Sequence, residues 1–445
     1  MMAAFEPFSE RRCPVAGDSS QMTRRAFCAS TILAAVAARA ATALGAEKAA
    51  PAPPPSYAPA AGFPPCRAVT KGPKYHFFGY YDKCPWDASG RTMLGMEVGF
   101  MDRQPKPDDR LTIGRIDLQN DNRFEPLDET VAWCWQQGTM LRWMPPAEDA
   151  AITYNMREGD TFYSVIRNLK TGEVRRLPRP IYSLSPSGDF AVMHNFARVA
   201  RTRPGYGYEG VKDPTEGVLQ PTDDGIYRMD IKTGESRLII SLDTLAKLKP
   251  KDDMKGAEHW VNHLEINPAG NRFFFLHRWK VPGAKSWHTR ALTANPDGSG
   301  LFILADDDYF SHFAWFSATE IVAHATRGPL VKQYIKFTDQ ADKAEGFGTE
   351  VFTGDGHCSF WKDRQWMLTD TYPDKQRNRT LILYHMASGK RVDIGKFFAP
   401  KEIDGPTRCD LHPRWSRDGR QVCIDSAHEG ARQIYVIDVG GIVGA

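Results

Sequence analysis

A short strand motif returns seven times along this chain, and an apolar or aromatic residue marks the same place in each copy: Trp86, Trp143, Leu184, Ile266, Trp315, Phe360 and Trp415. Each anchor opens a turn-like segment, such as Asp87-Ala88-Ser89-Gly90, Ser185-Pro186-Ser187-Gly188 or Ser416-Arg417-Asp418-Gly419. A hydrophobic run of β type follows, as in Phe273 to Leu276 or Val422 to Ile424. The anchors are 57, 41, 82, 49, 45 and 55 residues apart, so the loops vary while the unit persists. A second series keeps pace, in which each anchor is followed by a strand and a turn such as Asn168-Leu169-Lys170-Thr171-Gly172 or Asp230-Ile231-Lys232-Thr233-Gly234. Fixed-register repeats of this period, with short strands and Asp/Gly turns, predict an all-β chain folded as a seven-bladed β-propeller.

Four histidines share one position in that register. His263, His312, His357 and His412 each stand three residues before an anchor, in four consecutive copies. The strand before the first turn of a propeller blade is the innermost one, so equivalent residues of successive blades meet at one level of the central channel. A single such histidine is more often bonded to nearby backbone than functional. Four in consecutive blades point to a site. Neutral imidazole is a common ligand of divalent transition metals, and convergent histidines from separate strands build an open site. The expected cofactor is a divalent metal ion, manganese or zinc ahead of copper, held by those four residues. Asp355, Asp410 and Glu265 are near enough in sequence to complete the set.

The N-terminus reads as a targeting segment. Thr23-Arg24-Arg25-Ala26-Phe27 is a twin-arginine pattern, and a small apolar stretch from Ala29 to Ala43 follows it, too short and Ala-rich for a membrane span. The expected organisation is a signal region over 1–46, an Ala/Pro-rich linker over 47–62 and a propeller over 63–445, exported to the periplasm or beyond. A net charge of +3 with no basic cluster interleaved with aromatics leaves nucleic-acid binding unsupported. Six cysteines remain beyond the signal, without a Cys-x-x-Cys pair, far below the density of a disulfide scaffold. Strand alternation turns Cys358 away from the channel that its neighbour His357 faces.

Blade three carries a second constellation. Tyr182 begins its innermost strand, and Arg198 is expected at the far end of the next, a few residues out of antiparallel register with it. Tyrosine can give or take a proton, and arginine is a fixed partner for a carboxylate. Tyr80, Tyr81 and Lys83, in an aromatic cluster before the first anchor, and Tyr206 and Tyr208, in the longest interval, are candidates for contact with a sugar ring.

The segments Asn262-His263-Leu264-Glu265-Ile266-Asn267-Pro268 and Gly356-His357-Cys358-Ser359-Phe360-Trp361 resemble the metal-binding histidine segments of oligogalacturonate lyases. The Tyr182/Arg198 pair looks like the proton-transfer tyrosine and carboxylate-neutralising arginine of ulvan-type lyases. The chain thus resembles the β-propeller polysaccharide lyases, a group that also includes rhamnosyl-glucuronate lyases. It departs from the ulvan pattern where a histidine is replaced by Trp135-Gln136-Gln137-Gly138. The resemblance implies β-elimination at a uronic acid residue, with Tyr182 moving protons and His76, His194 or His277 as alternative bases. A uronate-containing oligo- or polysaccharide is then the expected partner. Three rivals stand beside this reading, one of them a copper redox propeller, which would also use histidine layers and twin-arginine export but for which the chain lacks a clustered Cys/His/Met electron-transfer motif. A glycoside hydrolase would need two carboxylates across the scissile bond, from candidates such as Asp82, Glu97, Asp102, Asp370 and Asp425; a non-catalytic carbohydrate-binding propeller would need neither.

Overall fold

The computed structural model describes residues 62–146 and 148–444; the signal region and nearly all of the linker lie outside the described residues. Among the described residues there are seven four-stranded antiparallel sheets, the seven blades that the repeat predicts. Six run in simple sequence order from the inside out. In blade four, for example, Glu258–Ile266 is innermost and is followed by Phe273–Lys280, His288–Ala294 and Phe302–Ala305. Six of the seven anchors end an innermost strand, whereas Trp86 lies nine residues beyond Tyr75–Phe77 in an isolated bridge to Met93; contacts between the first strands of neighbouring blades build the channel wall. The second turn series lies after the third strand, so two strands, and not the one expected, separate it from its anchor.

The anchors have a physical task. The indole of Trp143 donates to the Pro85 carbonyl of blade one at 2.8 Å, and that of Trp315 donates to the Glu265 carbonyl of blade four at 3.0 Å. A large apolar ring that keeps a hydrogen bond can be buried without an orphaned N–H, so Trp143 and Trp315 each stitch their blade to the preceding one. Blade interfaces are filled by β-branched and aromatic residues such as Phe273, Phe275, Ile321 and Ile335, all fully buried.

Closure uses both chain ends. Cys66–Ala68 pairs antiparallel with Gln433–Asp438 and becomes the outer strand of blade seven, which removes an edge that would otherwise be open to pairing. A second clasp lies deeper. Arg414 of blade seven forms a buried ion pair with Asp425 at 2.7 Å and donates to the carbonyls of Gly79 and Tyr80 in blade one. Asp425 in turn accepts from the backbone N–H groups of Phe78 and Gly79. Gly79 has φ +113°, and a Cβ there would lie 3.0 Å from the Gln137 backbone, so only glycine allows this loop to press against blade two. Removing one partner of a buried, hydrogen-bonded pair leaves the other charged and desolvated. Asp425→Ala is therefore expected to lower stability by about 3–5 kcal/mol, read as a drop in the urea midpoint at unchanged slope.

Candidate active site

Three imidazoles converge on the axis. The rings of His312 and His357 have centroids 3.9 Å apart, and those of His357 and His412 4.6 Å apart. Tyr80 and Tyr81 rise from the blade-one loop into their midst: Tyr81 lies 5.2 Å from His357, and Tyr80 lies 5.0 Å from His412. His263 occupies the opposite side of Tyr80, stacked on its ring at 5.3 Å. The four predicted histidines are gathered, but Tyr80 divides them into a group of three and one alone.

The backbone shows what this placement costs. His263 and His412 have φ of +55° and +42°, and His263 lies in a bulge where the register skips from Asn262 to Glu265. His312 lies in a similar bulge between Phe310 and Phe313. Left-handed backbone costs a residue other than glycine on the order of 1 kcal/mol or more and gathers at functional sites. Here it turns side chains into the channel that regular alternation would send into the blade. Tyr81 secures the His312 bulge, since its hydroxyl donates to the Phe313 carbonyl at 2.9 Å and accepts from the Phe313 N–H at 3.0 Å.

Carboxylates fix the imidazole tautomers. Asp370 lies 2.8 Å from His357 Nδ1 and Asp355 lies 3.0 Å from His312 Nδ1. Each carboxylate can only accept, so each Nδ1 carries the proton and each Nε2 presents its lone pair. Buried Nε2 of His357 and of His412 have no hydrogen-bond partner. Burial pushes both imidazoliums below their ordinary value, for His412 well below, so both rings are neutral. Asp410 completes the group, with Arg379 and Arg408 at 2.7 and 2.6 Å from its two oxygens, though without the alignment of hydrogen bonds. Burial opposes its charge, but Arg408 and Arg379 prevail and hold its carboxyl well below the usual carboxylate range.

Among the described residues, His357, Asp410 and His412 form the group able to hold a metal ion, with ligand atoms within 4.8 Å of one another. Two unpartnered imidazole nitrogens and an ionised carboxylate fit a divalent transition metal, and Asp370 behind His357 is the outer carboxylate that such ligands usually have.

Around His263 the chemistry differs. Its Nδ1 lies 3.4 Å from the Tyr182 hydroxyl, which also accepts from the Gln137 amide at 2.6 Å. Gln137 comes from the segment where the ulvan pattern has a histidine, so here an amide holds the tyrosine. Burial drives Tyr182 well above the usual phenol value. Burial, aided by Arg278 and Arg203, drives His263 well below the usual imidazole value. The outcome is a protonated phenol beside a neutral imidazole.

Two guanidiniums overlook this pair. Arg278, 7% exposed, bonds Thr289 through Nε, while its Nη1 is buried and unpartnered. Arg203 covers the faces of Tyr206 and Trp287 at 4.7 Å and leaves its own Nε unpartnered. Among the described residues neither has a carboxylate within ion-pair distance. Burial and the neighbouring Arg203 push Arg278 down to about 9, a measure of how poorly its charge is compensated. Sequence alternation held one signal for Arg278: if His277 points into the blade, its neighbour points out of it.

Arg198 is a correction to the sequence expectation. The strand ends at Met193 and a short helix, Phe196–Thr202, begins, N-capped by Asn195, whose side-chain oxygen competes for the backbone just where the strand would continue. Arg198 is buried there, donating to the carbonyls of His259, Val218 and Leu219 and paired with Asp213 and Glu258. It has no donor left for a ligand.

Other candidates are also placed elsewhere. His76 bonds Gln433 and Glu97 at the seam of blades one and seven. His277 lies inside blade four between His259 and Arg290, and His194 packs behind Tyr182, ring to ring at 4.8 Å. Tyr208 is core, fully buried and stacked on Phe196 at 4.2 Å. Tyr206 borders the site, receiving a hydrogen bond from Arg408 at 3.0 Å. Lys83 is paired with Asp82 in a cavity of about 200 Å³, shared with Glu265, at the far end of the imidazole layer. Of the carboxylates considered for hydrolysis, Asp370 serves His357 and Asp425 serves Arg414. Cys358 is fully buried, its thiol directed at the carbonyls of His312 and Val322.

No protein-family profile and no curated protein matches the chain. Solved structures do. An oligogalacturonate lyase from Vibrio parahaemolyticus superposes with a TM-score of 0.60 at 13% identity, over 86% of this chain and 96% of that one. An oligogalacturonate lyase in complex with manganese gives 0.57 at 15% identity, over 86% and 95%. The β-propeller domain of the Trilobed protease from Pyrococcus furiosus follows at 0.49 and 12%, over 82% and 95%. At such identities the likeness to the two lyases shows the fold, which supports varied chemistry.

Proposed function

We propose that this protein is a polysaccharide lyase that cleaves a uronate-containing glycan by β-elimination. The observation that carries the reading is the meeting, in one channel, of a neutral imidazole, a protonated phenol and uncompensated arginines beside a metal-capable histidine group. The likeness to two oligogalacturonate lyases, one of them with manganese, supports it.

The C5 proton of a uronate leaves only when its carboxylate is neutralised, so that charge developing in the enolate-like transition state is stabilised. Arg278, with its free Nη1 and Arg203 alongside, meets that need. A divalent ion held by His357, His412 and Asp410, with His312 adjacent, would supply Lewis-acid stabilisation of the same developing charge. His263, kept neutral, takes the C5 proton as general base. The C5–H electron pair becomes the C4–C5 double bond, the C4–O4 bond breaks, and Tyr182 gives its phenolic proton to O4. Environments that drive the two ionisation constants apart assign the roles of base and acid. The 3.4 Å contact between His263 and Tyr182 then returns the proton and resets the pair. Export by the twin-arginine route would put this activity where polymeric glycan is met.

The test is an ultraviolet assay on pectic, ulvan-like, glucuronan and rhamnosyl-glucuronate substrates, with and without chelator. Elimination leaves an unsaturated sugar that absorbs, and hydrolysis does not. The expected result is rising absorbance on at least one substrate, suppressed by chelator and restored by manganese. Reducing ends without absorbance would point to a hydrolase, and inertness towards every uronate would remove the proposal.

A further inference from the structure

Outside the channel, between blades two and three, lies a cavity of about 240 Å³. Its walls come from the second loop of blade two, Asp160 and Thr161, from the link between the blades, Arg179 and Pro180, and from the end of the Phe190–Met193 strand onward. Antiparallel strands alternate direction, so all these segments leave the sheets at the face that also carries Arg203 and Tyr206. The cavity therefore opens on the same side of the propeller as the proposed catalytic mouth.

His194 forms its inner wall. The ring is 3% exposed, held between Tyr182 and Phe196 at 4.8 and 4.6 Å, and neither ring nitrogen has a hydrogen-bond partner. Burial pushes its imidazolium down to about 3, only partly offset by the Asn195 backbone, so the neutral ring offers one N–H and one lone pair. Buried polar groups are nearly always satisfied, and an orphaned pair on one side chain calls for an occupant. Phe162, Phe196 and Tyr227 supply apolar surface, and Arg179 covers the Tyr227 face at 4.0 Å. Three carboxylates, Asp160, Asp223 and Asp224, line the cavity against that one guanidinium. Such a lining offers an anion no free cationic partner, since its one guanidinium is held over Tyr227.

We infer that this cavity is a second carbohydrate subsite that seats a single neutral sugar ring, with His194 donating to one hydroxyl and accepting from another. The volume falls below the roughly 300 Å³ at which drug-sized ligand pockets begin, which suits one ring and not two. Aromatic walls meet the C–H face of a sugar, and paired donor and acceptor groups read its hydroxyls. The arginines at the channel and the carboxylates here thus sort anionic from neutral sugars on one face.

The experiment titrates the full chain with L-rhamnose, D-xylose, D-galactose and D-glucuronate, observed by calorimetry and by the ring-nitrogen NMR signals of His194. At least one neutral sugar is expected to bind with a Kd of order 1 mM and to shift those signals, with glucuronate shifting them less. His194→Phe, which keeps the aromatic packing, is expected to weaken neutral-sugar binding about tenfold or more. The wild-type signals read the site even if that variant misfolds. Unmoved nitrogens with every neutral sugar, which would mean a water-filled cavity, unchanged affinity in His194→Phe, or a stronger response to glucuronate would each overturn the inference. No cleavage is measured, so failure of the elimination reading leaves this result intact.

Discussion

His357→Ala protein should emerge from purification without a bound divalent ion and with kcat/KM reduced about a thousandfold or more. One of the two ring nitrogens of His357 has nothing to bond. His357 Nδ1 is committed to Asp370, and Nε2 is buried without a partner beside His412 Nε2 and Asp410. Removing the ring deletes one of the two neutral ligands and leaves Asp370 as a buried acceptor facing a cavity. A two-ligand remnant flanked by Arg379 and Arg408 would hold a dication poorly. If charge stabilisation at the uronate carboxylate is worth several kcal/mol, its loss amounts to about three decades in rate. Elemental analysis gives the ion content, and the ultraviolet assay gives the rate. Wild-type protein that carries no ion after manganese loading, or a variant equal to wild type in both measurements, would refute the assignment. Thermal unfolding is recorded alongside, because a buried Asp370 carboxylate that has lost its imidazole partner should cost about 1–3 kcal/mol of stability by itself.

Arg278→Met should lower kcat by about a hundredfold to a thousandfold, the loss seen when one preorganised donor to a developing oxyanion is removed. Methionine preserves most of the length and apolar body of the side chain, so the change isolates charge and hydrogen bonding. Arg278→Lys should recover only part of the rate, because a single ammonium cannot reproduce a two-pronged contact with a carboxylate. The comparison of kcat with KM is decisive. An arginine that merely anchors the glycan would raise KM at constant kcat, whereas one engaged mainly in the transition state lowers kcat itself. Substitution at Arg198, where the sequence placed this role, should instead act on folding, since its guanidinium is consumed by four backbone carbonyls and two carboxylates.

These cases show how far the sequence could be read. Period and register are one-dimensional properties, and the seven anchors conveyed blade number, the innermost strand of six blades and the level at which His263, His312, His357 and His412 would meet. Asp355 and Asp410 were also within reach, because both lie within a few residues of a predicted inner strand. The limits appear where the chain leaves regular geometry. At Asn195, a capping side chain turns a strand into a helix and carries Arg198 away from Tyr182. At Asn262–Glu265, a bulge rotates His263 towards Tyr182 and separates it from the other three imidazoles.

What the sequence determined by itself is therefore the architecture, since apolar residues at a fixed spacing can be buried together only by closing the repeats into a ring. Which polar side chains face one another was decided by tertiary structure. The Arg278 charge without a partner, the Gln137 amide on Tyr182 and the empty-handed nitrogens of His194 and His357 depend on how loops from different blades meet. Bulges, caps and long-range packing set those meetings, and they involve energies of one or two kcal/mol per residue that no periodicity records.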